Sequence, residues 1–370
     1  MSFEPFAIER LFARWEFTAR HLLSSSDCET MTVAELLTLA GWPAEALARL
    51  PLSYTDTQGE PPLRDRISAR YAGLRPDDIL VCTPSEGIRI AAEALLEPGD
   101  RVVVQMPCYQ ALEEIPRQLG CAVVGWPLVE TEGGWRMDLD HLASLLDART
   151  KLLVLNAPHN PTGHLPSASE MNTIVALAKD RGVRLFCDEM YRGLERRPSD
   201  RLPPVCLAAE RAVSLGGLSK TYGVPGLRIG WLATRDRSAL AGMVARKDYT
   251  TICASAPSQL LACAALDCAD ALAARSQGFV AENLERATAF VARHPDLLAW
   301  RTPLAGSVAF PRWLRGGAAA FCERAVSETG VMIVPSTVFN FGDAHIRVGL
   351  GRRGFADAIG ALEPWLAAAA

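Results

Sequence analysis

Lysine is scarce in this chain: four in 370 residues, Lys151, Lys179, Lys220 and Lys247. With arginine counted, the longest basic runs are the pairs Arg196-Arg197, Arg246-Lys247 and Arg352-Arg353, and the formal net charge is -4. Binding to nucleic-acid phosphates needs clustered Lys and Arg, so no such partner is expected. No stretch approaches the roughly 20 apolar residues of a membrane span. The opening Met-Ser-Phe-Glu-Pro lacks the basic-then-apolar order of an export signal. The ten cysteines form no CxxC pair and mostly lie in apolar stretches, which reads as buried thiols in a reducing cytoplasm. Internal repeats and low-complexity linkers are missing too. A soluble cytoplasmic protein is expected, long enough for one large core and a smaller satellite.

Ile8, Leu11, Phe12, Trp15 and Ala19 recur at helical spacing, with Glu9, Arg10, Arg14 and Glu16 on the other face. From about residue 79 short apolar runs alternate with helical stretches: 79–81, 102–104, 152–155, 185–187 and 212–215. That alternation predicts an α/β fold with a mostly parallel sheet covered on both faces, its functional residues beyond the strand C-termini. After about residue 256 the chain turns Ala-rich and helical, clearest over 281–294, and ends in an α+β tail with strands at 331–334 and 346–348. Residues 47–275 are expected to form the large domain, and 1–46 with 276–370 the small one.

Four sites on this frame carry chemistry. Lys220 lies in Gly217-Leu218-Ser219-Lys220-Thr221-Tyr222-Gly223, just after an apolar strand, and Arg228 follows inside Gly226-Leu227-Arg228-Ile229-Gly230. An amine at a strand end with a cation near it suits imine formation on a phosphorylated cofactor; alone, the pair reads equally as a strand end and a surface arginine. Asn160 stands between prolines in Ala157-Pro158-His159-Asn160-Pro161-Thr162-Gly163, a stiff loop that either aims the amide or merely turns the chain. Asp188 ends a strand, three residues before Tyr191. It either holds a protonated ring nitrogen or caps a helix.

The order Asn-Pro-Thr-Gly, Asp-x-x-Tyr, Ser-Lys, then Arg among glycines resembles the aspartate-aminotransferase family of pyridoxal-phosphate enzymes, fold type I, over roughly residues 50–350. The resemblance implies pyridoxal 5'-phosphate as cofactor, with Lys220 as its aldimine lysine and Asp188 on the pyridinium nitrogen. Asn160 and Tyr191 would meet the phenolic oxygen, and Ser219 and Arg228 the phosphate. Tyr109, in Met106-Pro107-Cys108-Tyr109, matches the aromatic stacked on the ring. Tyr54, five residues before Gly59, matches the tyrosine that reaches the partner subunit's phosphate, implying a homodimer with shared sites. Arg347, in His345-Ile346-Arg347-Val348-Gly349, matches the arginine that grips the substrate carboxylate. No metal is implied. Two departures stand out: Gly217 replaces a phosphate-binding serine common in relatives, and the phosphate loop reads Cys82-Thr83-Pro84-Ser85-Glu86-Gly87. Pro84 has no N–H, which leaves Thr83, Ser85, Glu86 and nearby amides to hold the phosphate.

By this resemblance the chain acts at the α-carbon of an L-amino acid, and transamination leads on family frequency. The segment from Ile8 through His21-Leu22-Leu23-Ser24-Ser25-Ser26-Asp27-Cys28-Glu29, with Tyr222 to Arg228, is also similar to hydroxyarginine cyclases, which lose a side-chain hydroxyl and close a guanidine ring. Glu9, Glu16, Asp27 and Glu29 then either meet a guanidinium or are solvated and capping charges, and Ser25 is a candidate substrate contact. His159 and His21 are either proton carriers or structural. A ligand-sensing regulator on the same fold would need a DNA-binding domain ahead of Tyr54, and the 53 residues there are too few and carry no basic cluster.

Overall fold

The structure, a computed structural model, describes residues 4–369; Met1 to Phe3 of the stretch inspected for an export signal lie outside the described residues. A seven-stranded sheet forms the centre, in the order Ile79–Cys82, Gly230–Ala233, Ala212–Gly217, Arg184–Asp188, Thr150–Asn156, Arg101–Met106, Ala122–Pro127. All five expected strands are present. Two more were not anticipated: the edge strand Ala122–Pro127, and Gly230–Ala233, which runs antiparallel to both neighbours inside an otherwise parallel sheet. The five expected strands are largely buried on both faces, which is why they read as unbroken apolar runs, whereas the edge strand Ala122–Pro127 is exposed or half-buried at all but one residue. Leu80, Cys82, Val102 and Val104 point into one hydrophobic cluster, with Ile88 and Ile90 of the helix Pro84–Leu95. Ile79 and Val81, alternating with them, face the cluster of the helix Ala256–Asp267.

A 25-residue helix, Ala269–Arg293, follows, of which only the second half was anticipated. The expected strand at 331–334 is two short ones. Val331–Met332 pairs in parallel with His21–Leu22, and Val334–Pro335 pairs with Ile346–Gly349. The N-terminal segment thereby pairs with the C-terminal part of the chain. The helix Val33–Ala40 buries Leu36 and Leu37 in the cluster of Ile79 and Val81.

One close approach positions the site. The chain from Leu23 to Cys28 lies directly on the strand Ile346–Gly349, with Gly349 N–H donating to Leu23 C=O at 2.6 Å. A Cβ on Gly349 would run into the Ser25 carbonyl, and one on Gly351 into the Asp27 carbonyl. Two glycines thus let a polar N-terminal segment lie beside Arg347.

Candidate active site

Five strand C-termini open on one cavity of about 370 Å³. Its lining includes Ser85, Tyr109, Asn160, Asp188, Tyr191, Ser219, Lys220, Arg228 and Arg347, and from the N-terminal segment Glu9, Glu16, Ser25, Ser26 and Asp27. The strand Thr150–Asn156 delivers Asn160 through a turn locked from behind: Asn156 Oδ1 accepts the Asn160 N–H at 2.6 Å, and Asn156 Nδ2 donates to Asp188 C=O at 2.8 Å. Asn156 ties two site-bearing strands together, and sequence reading gave it no role. The Asn160 side chain does not fold back on its own backbone; its Oδ1 accepts from Arg347 Nη1 at 3.2 Å.

Arg347 is 1% exposed. Its Nη2 donates to Ser24 C=O at 2.7 Å, and its Nε is buried without a partner. Burial lowers the guanidinium's pKa, and no carboxylate among the described residues forms an ion pair with it. A planar fork held at two points, with Nε free, suits a carboxylate.

Asp188 is 8% exposed, and Oδ1 accepts only the Met190 N–H, at 3.1 Å; no helix follows for it to cap. Burial raises its carboxyl to about 6, with Lys220 pulling weakly the other way. A buried acid short of a counter-charge favours a cationic donor against it. Lys220 Nζ donates to Ser26 Oγ at 2.7 Å. Burial depresses its pKa; the Asp27 carboxylate opposes this and the Arg347 cation reinforces it. Ser26 is a contact the sequence left unassigned, although it lies in the Ser24-Ser25-Ser26-Asp27 run. Tyr109 packs against Phe6 at 5.0 Å, and its hydroxyl is 3.4 Å from Glu9 Oε1; burial pushes the phenol to about 12.

Of the residues expected at the phosphate, Thr83 and Glu86 meet each other. Glu86 Oε2 accepts the Thr83 N–H at 3.1 Å, and its Oε1 accepts the hydroxyls of Thr250 and Thr251 at 2.6 and 2.7 Å. Both residues are thus engaged in closing the start of the helix Pro84–Leu95, and neither side chain lines the cavity. Ser85 does, with Ser219 and Arg228. Arg228 adopts a left-handed backbone, φ 55°, which carries its exposed side chain round to the cavity. Tyr54 is 87% exposed and lies outside the cavity of its own chain.

Other candidates resolve plainly. His159 is buried, its Nδ1 bonded to Thr162 Oγ1 at 2.8 Å, and burial lowers it to about 3, so it is a neutral structural side chain. His21 sits in the strand paired with Val331, away from the cavity. Glu29 accepts the Arg353 N–H and does not line the cavity. Asp27 lines it, already held by Arg352 through two bonds of 3.2 and 2.7 Å.

Whether these residues suit pyridoxal phosphate is tested by their unmet demands. Tyr191 Oη and Ser219 Oγ are buried without partners, and both residues line the cavity that also holds Asp188. A flat cationic ring bearing a phenolic oxygen and a phosphate meets all three, so the residues fit the group.

Comparison with known proteins agrees. Residues 23–353 match the family described as aminotransferase class I and II. Capreomycidine synthase of Streptomyces vinaceus is 31% identical over 90% of this chain and 86% of its own length. Among solved structures, a PLP-dependent aminotransferase from Streptococcus suis superposes with a TM-score of 0.93 at 28% identity, covering 99% of this chain and 98% of the other. The PLP-dependent cyclase OrfR superposes at 0.92 and 30% identity, covering 100% and 99%. The chain belongs to the class I and II aminotransferases, pyridoxal-phosphate-dependent enzymes of fold type I.

Proposed function

We propose that this enzyme acts at the α-carbon of an L-amino acid carrying a cationic side chain, with amino-group transfer as its leading reaction. The observation that carries the reading is the convergence of Lys220, Asp188, Asn160, Tyr191 and Arg347 on one cavity. When bound, the cofactor supplies an electron sink for the pair released at Cα and a carbon that exchanges amines. Lys220 would hold the cofactor through its amine, and with its pKa lowered by burial that amine would be suited to take a proton from Cα. Asp188 would favour a protonated ring nitrogen, and Tyr191 and Asn160 would hydrogen-bond the ring oxygen. Arg347 would grip the substrate carboxylate and so orient the α-carbon. Ser85, Ser219 and Arg228 would hold the phosphate.

Glu9, Glu16 and Asp27 line the side of the cavity formed by the N-terminal segment. Burial raises Glu16, and the nearby Asp27 and Glu9 charges add to this. Like charges gathered this way favour a guanidinium or ammonium between them. The same wall supports a second reading, ring closure or elimination on a hydroxyarginine-like substrate, in keeping with the likeness to capreomycidine synthase and OrfR. Incubation with L-arginine and with hydroxyarginine, followed by mass analysis, separates the two. A keto acid with cofactor converted to its amine form supports transfer; loss of water with the amine retained supports cyclisation; neither product from any cationic amino acid sinks the substrate assignment.

The homodimer belongs to this proposal. Leu52, Tyr54, Tyr249 and Ile252 are 86%, 87%, 93% and 51% exposed, and Thr55 Oγ1 donates to Ala254 C=O at 2.8 Å, so these two segments are neighbours. An exposed apolar group at this density suits a second copy, to which Tyr54 would reach. Nine of ten thiols are buried and none is bridged, which suits a cytoplasmic setting.

A further inference from the structure

The hairpin of Val129–Thr131 and Gly134–Arg136 lies outside the central sheet, yet its directly opposed pair, Glu130 and Trp135, closes on one side chain of the small unit. Glu130 Oε2 accepts from His345 Nε2 at 3.1 Å and from Arg312 Nε and Nη2 at 3.1 and 2.8 Å. Arg301 Nε lies 3.5 Å from Oε1 of the same carboxylate. Trp135 packs against the His345 ring at 5.6 Å, and Phe310 stacks on it at 5.0 Å with planes 14° apart. His345 is therefore fixed by its edge and its face at once, and it is 3% exposed.

His345 stands two residues before Arg347. The contacts continue from one to the other: Phe310 meets Phe339 edge-on at 5.9 Å, and the Phe339 ring lies 5.3 Å from the Arg347 guanidinium carbon. The turn Ser336–Phe339, which carries Phe339, is pinned by His345 as well. Ser336 N–H donates to His345 C=O at 2.8 Å, and His345 N–H donates to Ser336 Oγ at 3.1 Å. A largely buried carboxylate shared by two arginines and an imidazole costs more to desolvate than apolar packing would, and such networks are repaid mainly in geometric definition. Here the geometry defined is that of the strand bearing Arg347.

We propose that Glu130 is a positioning residue for substrate carboxylate recognition, setting the Arg347 guanidinium through His345 and the Phe310–Phe339 pair across the join between large and small units. The proposal rests on the reading that Arg347 takes the carboxylate. A guanidinium already held by Asn160 and Ser24 has little freedom left to correct an error, so a small tilt of its strand is felt at the substrate.

The test uses the holoenzyme, the L-amino acid it turns over fastest, and the amine left when that amino acid's carboxyl group is removed, whose binding is read on the cofactor's absorbance. Glu130→Gln keeps the shape and loses the charge. It is expected to raise KM for the amino acid about ten-fold, leave kcat within about two-fold, and leave affinity for the amine unchanged. Glu130→Asp, which retains the charge on a shorter arm and guards against misfolding of the first variant, is expected to give a smaller KM rise of the same kind. An unaltered KM in both variants, or an equal loss on amino acid and amine, overturns the proposal whatever happens to the melting temperature. Arg347→Lys is the reference. If it too leaves the amino acid's KM unchanged, the carboxylate assignment itself fails; if it responds while the Glu130 variants do not, only the role of Glu130 fails.

Discussion

Asp188 shows how one side chain links cofactor, stability and pH. Burial disfavours the charge and raises its carboxyl to about 6, above the ordinary 3.8. The folded state thus binds more protons than the unfolded one between those values, and stability falls as pH rises through that window. At about 1.4 kcal/mol per unit the difference amounts to about 3 kcal/mol. Denaturant unfolding of cofactor-free wild type and Asp188→Asn between pH 4 and 7 should therefore show the two curves diverging, with wild type losing ground as pH rises; parallel curves would contradict the assignment. In the holoenzyme a cation on the ring nitrogen should shrink that divergence. Lys220, Asp188, Asn160, Tyr191 and Arg228 were legible in the sequence because each sits at a strand end inside a motif with fixed spacing. Ser26 and Asn156 were not, because each acts through a tertiary contact that no local pattern records: Ser26 reaches Lys220 from 194 residues away. Thr83 and Glu86, expected at the phosphate, meet each other at the helix start, where Glu86 accepts the Thr83 N–H.

At the scale of elements, the segment 23–28 matters most, since it supplies Ser24, Ser25, Ser26 and Asp27 to the site while making only a two-residue strand of its own nearby. Its place depends on Gly349 and Gly351. Gly349→Ala is expected to lower stability by about 1–3 kcal/mol, because the added methyl meets a backbone carbonyl that cannot rotate away. The same change should weaken substrate binding, as Ser24 C=O holds Arg347. Chemical denaturation with a parallel KM measurement checks both, and an unchanged midpoint would show that the segment relaxes freely. The five expected strands could be read from apolar runs because both their faces are buried. The strand Gly230–Ala233 and the Val129–Arg136 hairpin could not: the first follows the Arg228 loop too closely to stand apart, and the second has only three residues a side. The long helix was half-read because its first turns are Ala-rich with little amphipathic pattern.

On the scale of the whole molecule, the cavity is exposed where Ser85 and Arg228 line it. Under the proposed reading this is the phosphate end, and a second copy docked on the Leu52, Tyr54, Tyr249 and Ile252 face would bring its Tyr54 there. Sedimentation should therefore give a dimer, and Tyr54→Phe should weaken cofactor retention several-fold with the dimer intact, as loss of one phosphate hydrogen bond predicts. A monomer in solution, or retention equal to wild type, would argue against shared sites. The most direct test of the account's centre is simpler. Purified protein reconstituted with pyridoxal phosphate should absorb near roughly 420 nm, with the band changing on addition of substrate amino acid, and Lys220→Ala should lack it. A Lys220→Ala protein that keeps the same band and turnover, or a wild type that never acquires the band, would contradict the assignment of Lys220 as the residue on which this enzyme's chemistry turns.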